Sequence, residues 1–128
     1  LTRKNNNLKE LKMCDCIFCK IVKGDIPSPR LYEDENFIVI RDINPLCKVH
    51  DLIITKKHIK SVNEIEKEDE KIFASLFSVA KKIAAMENMS ESGYRVVVNS
   101  GKDSGQAVPH FHAHVLGGED LKGKLQGM

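Results

Sequence analysis

Residues 110–116 read His-Phe-His-Ala-His-Val-Leu, and this alternation constrains the fold more than any other stretch of the chain. A β-strand sends successive side chains to opposite faces. Phe111, Ala113 and Val115 can therefore enter a core while His110, His112 and His114 share the other surface. Three of the five histidines are thereby placed side by side on a half-buried strand. Unperturbed imidazole titrates near pH ~6.5, so part of such a cluster is neutral at cellular pH. A neutral ring nitrogen can attack an electrophile or bind a metal.

The remaining segments supply partners for that strand. Apolar residues at helical spacing over 16–22, ended by Gly24 ahead of Ile26-Pro27, predict a short first helix, and Pro27 and Pro29 make an extended link after it. Residues 30–32, 37–40, 52–55 and 94–99 read as strands, with a turn at 33–36 and a break at Asn44-Pro45. From 67 to 89 the residues Ile72, Phe73, Leu76, Val79, Ala80, Ile83 and Met86 recur at three- and four-residue steps, which predicts one long amphipathic packing helix. Acidic residues crowd its start and Lys81-Lys82 lie nearer its end, as the macrodipole favours. The histidine strand spans 108–116 and is closed by Gly117-Gly118. The expected fold is α+β: a five-stranded antiparallel sheet with one short N-terminal helix and one long helix.

A chain of 128 residues fits one domain, expected here over 14–128. Residues 1–13, with Arg3, Lys4 and three asparagines, are expected to form a disordered or frayed extension, and the last ten to be irregular. A formal charge of +2 gives no electrostatic case for nucleic acid or a membrane surface as partner. No apolar run approaches the ~20 residues that span a bilayer, and the start lacks the apolar stretch of a signal peptide. Cys14, Cys16 and Cys19 crowd into six residues, which suits metal or thiol chemistry better than a disulfide framework, while Cys47 reads as a lone thiol. A reducing compartment, cytoplasm or nucleus, is expected.

Three readings of the histidine strand stay open on the residues alone. His112 is a nucleophile flanked by two histidines that set its tautomer; or all three are zinc ligands, which strand spacing permits; or they form a solvated polar face. The Gly-rich turn 100–106 beside the strand favours an anion held against an imidazole, because its backbone N–H groups can form a nest, with Asn99 and Gln106 as side-chain donors. It is not a Walker A loop, since Gly101-Lys102 lacks the upstream glycine spacing and is followed by Asp103.

With these segments together, the chain resembles the histidine triad (HIT) family, and within it the histidine triad nucleotide-binding (Hint) branch. The likeness covers about residues 16–118. It rests on Phe18-Cys19-Lys20-Ile21-Val22 with Ile26-Pro27, Tyr32-Glu33-Asp34, Asp42-Ile43-Asn44-Pro45, and His50 with Leu52-Ile53-Ile54. It continues through Lys57-His58-Ile59, Tyr94-Arg95-Val96-Val97-Val98-Asn99 and Gly105-Gln106 to His114. The resemblance implies a purine nucleotide-binding hydrolase that cleaves nucleoside 5′-phosphoramidates at the α-phosphate through a covalent nucleotidyl-histidine intermediate, and a homodimer.

It implies His112 as nucleophile, with His110, His114 and His50 around it, and no metal needed for catalysis. Asn99 and the Gly105 and Gln106 amides would hold phosphate oxygens, and Asp42 the ribose hydroxyls. Phe18, Ile21, Ile26, Ile43 and Leu52 would line the base pocket. Some relatives further imply a structural zinc on Cys16, Cys19, His58 and His110, with Cys14 as an alternative ligand. One departure is Ala107, where the Hint branch usually has a serine that assists the leaving group. The C-terminal tail also departs from the usual ending. Two other readings therefore stand beside phosphoramidate cleavage: a dinucleoside-polyphosphate hydrolase of the same family, and a non-catalytic nucleotide- and zinc-binding adaptor.

Overall fold

The computed structural model describes residues 15–125; the expected extension over 1–13, Cys14 and the last three residues lie outside them. The first helix, α1 (Ile17–Lys23), starts where the Cys16 sulfur accepts the Cys19 N–H at 3.3 Å. It ends at Gly24, whose φ of 87° lets its own N–H return to Ile21 O. Arg30, opening strand β1 (Arg30–Glu33), donates from Nη2 to the carbonyls of Ile21 and Val22, both at 3.0 Å. A cation thus satisfies the orphaned carbonyls of the helix end and ties it to the sheet.

Strands β2 (Phe37–Arg41), β3 (Val49–Thr55), β4 (Tyr94–Val98) and β5 (His112–Gly117) complete a five-stranded sheet in the order β1-β2-β3-β5-β4, antiparallel throughout. The expected α+β architecture is therefore present. No helix among the described residues is long and apolar enough to cross a membrane.

The histidine strand is shorter than its alternation suggests. It begins at His112, and His110 lies in the bend before it. Pro109 has no N–H to give to a ladder, and a central strand does not tolerate that loss. The predicted long helix is also divided. A 3₁₀ turn at Lys67–Asp69 leads into α2 (Glu70–Phe73), and α3 (Leu76–Met86) is the long regular portion. At the junction the Ser75 hydroxyl donates to Ile72 O at 3.3 Å, a local bond that competes with helical continuation.

The two sheet faces do different work. One packs Phe37, Val39, Ile53, Ala113 and Val115 against Leu76, Val79, Ala80 and Ile83 of α3. Each fully buried Ile or Phe there stabilises the fold by about 1.5–3 kcal/mol through removal from water. The opposite face carries Ile38, Ile40, Leu52 and Ile54, covered by Phe18 and Ile21 of α1. Register places Ile54 opposite His112 and Leu52 opposite His114, so the histidines occupy this second face, beside α1.

One residue on the α3 side breaks the apolar pattern. Asp51 is fully buried, and neither of its carboxylate oxygens has a hydrogen-bond partner among the described residues. Burial, and then the Glu87 carboxylate beside it, push its pKa up to about 7 against the opposing pull of Arg41. Below about pH 4 both folded and unfolded chains hold this proton, so nothing is lost. As pH rises from about 4 to about 7 the unfolded chain releases the proton first, and stability falls. Asp51→Asn removes that ionisation and is expected to stabilise the protein at pH 8 by about 2 kcal/mol, with little effect near pH 4. Urea unfolding of both proteins across this range checks it; a gain that does not grow with pH rejects it.

Candidate active site and metal centre

His112 is held by the chain two residues before it. Its Nδ1 lies 2.7 Å from the carbonyl oxygen of His110. A carbonyl only accepts, so Nδ1 carries the proton and donates it, and Nε2 keeps its lone pair. No hydrogen bond among the described residues engages Nε2. The edge of Phe18 closes on the His112 ring at 5.0 Å between centroids. Burial lowers the His112 pKa, opposed by the His110 carbonyl and by Asp42. The ring is thus a neutral imidazole at pH 7 with an open nitrogen, which is what nucleophilic attack requires.

A second chain of bonds fixes His114. The backbone N–H of Leu46 donates to His50 Nδ1 at 3.1 Å. His50 therefore carries its proton on Nε2, which donates to His114 Nδ1 at 2.8 Å. His114 is left with its proton on Nε2, on the far side of a ring that meets His112 edge to face at 5.0 Å. Burial, and then His112 and His50, push the His114 pKa down to about 4, so it acts here as a neutral donor. Asp42 stands at the same cluster, with Oδ2 3.5 Å from His50 Nε2, while its Oδ1 accepts the Asn44 N–H at 2.9 Å.

His110 belongs to a different group. Its Nε2 lies 2.7 Å from Thr55 O, so the proton sits there and Nδ1 presents a lone pair. That Nδ1 meets Cys16 Sγ at 3.3 Å, Cys19 Sγ at 3.5 Å and His58 Nδ1 at 3.2 Å. His58 Nδ1 in turn lies 3.6 Å from Cys16 Sγ and 3.1 Å from Cys19 Sγ. A tetrahedral ion with metal–sulfur bonds of ~2.3 Å and metal–nitrogen bonds of ~2.05 Å has sulfur–nitrogen edges of about 3.5 Å and a nitrogen–nitrogen edge of about 3.3 Å. The four donors match that figure, and this cluster could hold a metal ion. Asp42, His50 and His114 also converge, but their 2.8 Å nitrogen–nitrogen approach is a hydrogen bond and too short for that edge.

The other expected binding residues divide. Phe18 and Ile21 are buried on the inner side of α1 and Leu52 on the sheet beneath it, whereas Ile26 is exposed at 36% and Ile43 at 88%. Ile21 and Ile26 share a shallow groove of about 410 Å³. Asn99 follows β4 one step past Val98, on the line that continues the register toward His112.

The loop 101–106 corrects the expectation of open donors. Gly105 N–H donates to Lys102 O at 3.1 Å and Gln106 N–H to Gly101 O at 3.3 Å. The Gln106 side chain binds Lys60 O at 2.7 Å and Val108 O at 2.9 Å, and accepts from Gly101 N–H at 2.8 Å. Gln106 braces the loop, because a turn closed by a 3₁₀ segment uses its own amides. A surface cavity of about 880 Å³ between Lys48, Glu87, Tyr94 and Glu119 is lined by neither histidine nor thiol.

Comparison with known proteins agrees with this geometry. A family model described as scavenger mRNA decapping enzyme C-term binding matches residues 15–126. The purine nucleoside phosphoramidase of Escherichia coli (strain K12) is 40% identical over 107 residues, covering 84% of this chain and 90% of that protein. The crystal structure of a HIT family hydrolase from Legionella pneumophila superposes with a TM-score of 0.80 at 44% identity, over 84% of this chain and 96% of that one. The chain belongs to the histidine triad (HIT) family. A histidine triad nucleotide-binding protein from Candida albicans is also similar, with a TM-score of 0.73 at 34% identity over 79% of this chain and 73% of that one. Sequence reasoning placed the HIT histidines but missed the backbone groups that set their tautomers. Thr55 O, His110 O and Leu46 N–H belong to every residue type, so no side-chain signal marks them.

Proposed function

We propose that this HIT protein, as a member of the Hint branch, binds purine nucleotides and hydrolyses nucleoside 5′-phosphoramidates. The observation that carries this reading is the His112 Nδ1–H bond to His110 O at 2.7 Å, which leaves Nε2 as an unprotonated nucleophile. Nε2 attacks the α-phosphorus, the phosphorus–nitrogen bond breaks, and the leaving amine takes a proton from solvent, which the water of the second step gives back. Water then cleaves the nucleotidyl-histidine and restores the ring. Two smaller barriers replace one large one. The Nε2–H of His114 and the amide of Asn99 stabilise phosphate oxygens as charge develops. Asp42 takes the ribose hydroxyls, and Phe18, Ile21 and Leu52, with Ile26 and Ile43 at the rim, take the base.

The four-donor cluster suits zinc, since two thiolates and two imidazoles with no open position make a closed structural site. Cys16, Cys19, His58 and His110 would hold zinc there, joining α1 to the sheet and leaving the chemistry to His112. A homodimer accords with the Hint-branch resemblance, and Phe77 of α3, exposed at 71%, is an apolar side chain that such an interface would cover. The thiols suit the cytoplasm or nucleus.

Ala107 is exposed and offers no hydroxyl to a leaving group. That observation favours a second reading, a nucleotide- and zinc-binding adaptor without turnover. Purified protein given a fluorogenic adenosine phosphoramidate and, separately, diadenosine polyphosphates distinguishes these. Release of free amine with kcat/KM at least about tenfold above the polyphosphates is expected. Preference for the polyphosphates moves the assignment to dinucleoside-polyphosphate hydrolysis, and binding of adenosine monophosphate without turnover moves it to the adaptor.

A further inference from the structure

The peptide between His110 and Phe111 joins the metal-competent cluster to His112. Its carbonyl accepts the His112 Nδ1–H at 2.7 Å. Its N–H, on Phe111, donates to Ile59 O at 2.6 Å, and Ile59 follows the ligand His58 directly. The His110 ring is fixed by Thr55 O at 2.7 Å on Nε2 and faces the cluster through Nδ1. This peptide precedes β5, so no ladder of the sheet sets its orientation. Two of the four donors, His58 and His110, thus bracket the one peptide whose carbonyl decides which nitrogen of His112 is free.

We propose that the Cys16–Cys19–His58–His110 cluster, when it holds its ion, positions the nucleophile: it locks the 110–111 peptide and through it the Nδ1–H tautomer of His112. Cys16, Cys19 and His58 are then positioning residues for hydrolysis although none touches the substrate. This inference rests on the hydrolase reading and on metal binding above. An imidazole without the carbonyl partner divides between two tautomers, and the Nε2–H form has no lone pair to offer phosphorus. Groups that orient a reacting or ligating imidazole typically change activity or metal affinity by about 10- to 100-fold. The loss includes kcat, in addition to any weakening of the base contacts Phe18 and Ile21, which α1 carries.

The test uses the full chain with His58→Ala, and with His58→Cys as the variant that keeps a ligand. Zinc affinity is measured against a chromophoric chelator, kcat and KM on the fluorogenic phosphoramidate, and the His112 tautomer by ¹⁵N chemical shifts. His58→Ala is expected to weaken zinc binding, lower kcat about 10- to 100-fold beyond any rise in KM from a loosened α1, and mix the two His112 tautomers. His58→Cys is expected to restore all three. If His58→Ala does not fold, chelator-stripped wild type at low temperature gives the same readings.

A metal-free protein that stays folded with an unaltered kcat and a single Nδ1–H tautomer overturns the inference. Wild type that takes up no zinc overturns it together with the metal assignment. Absence of turnover, with a His112 tautomer that still follows zinc occupancy, supports the coupling and counts against the hydrolase reading alone.

Discussion

His112→Asn is expected to lower kcat on a nucleoside phosphoramidate by at least about 10⁴-fold while adenosine monophosphate binds almost as well as before. The choice of asparagine separates chemistry from packing. Its side-chain N–H₂ sits near the position of Nδ1 and can still donate to His110 O, the contact made at 2.7 Å in the native protein. What it lacks is Nε2, the atom proposed to form the bond to phosphorus. His112→Ala removes the same atom, but also the donor to His110 O and more of the bulk against which Phe18 packs, and is expected to be the more destabilised of the two. The proposed nucleotide contacts lie on other residues, so the loss is expected in the chemical step and not in binding. Turnover by His112→Asn above about 1% of wild type, measured beside calorimetric binding of the monophosphate, transfers the nucleophile's role to another group.

The alternation around His112 was legible because a strand has an unforgiving period. Phe111, Ala113 and Val115 are buried, and His112 and His114 stand on the opposite face. The same rule overreached at His110, where Pro109 interrupts the ladder. The consequence is functional: outside the strand, His110 turns its Nδ1 to the thiols instead of standing level with His112. The periodicity from Ile72 to Ile83 gave the packing face of the long helix, but Met86, expected on that face, is exposed, and the break at Ser75, where a hydroxyl finds a local carbonyl, was not legible in it. Asp51 carries no signal in the sequence either. It sits between His50 and Leu52 like any alternating polar residue, yet the α3 side of the sheet buries it. The loop 101–106 looked like a nest because its composition is that of one. Only geometry shows that Gly105 and Gln106 direct their amides inward.

Cys19→Ser, or stripping the wild type with a chelator, is expected to lower the unfolding temperature by more than about 10 °C. Structural zinc sites couple several kcal/mol of binding energy to folding, and 1 kcal/mol shifts Tm by roughly 2–8 °C in domains of ordinary size. The effect should begin locally. Helix α1 is seven residues long, too short to persist without tertiary support. Phe18 and Ile21 anchor it to Ile38, Ile40, Leu52 and Ile54, Arg30 holds its last carbonyls, and the cluster clamps its first turn through Cys16 and Cys19. Without the ion, two ring nitrogens 3.2 Å apart and two thiols lose the charge that draws them together. Hydrogen exchange should therefore rise first over Ile17–Lys23 and at Phe111, whose N–H leans on the chain beside His58. The sheet core between β2, β3 and β5 should stay protected. Differential scanning fluorimetry and exchange mass spectrometry, with and without chelator, read both effects. An unchanged midpoint together with unchanged exchange in α1 means that apolar packing alone holds the helix, and that the four donors meet without a metal between them.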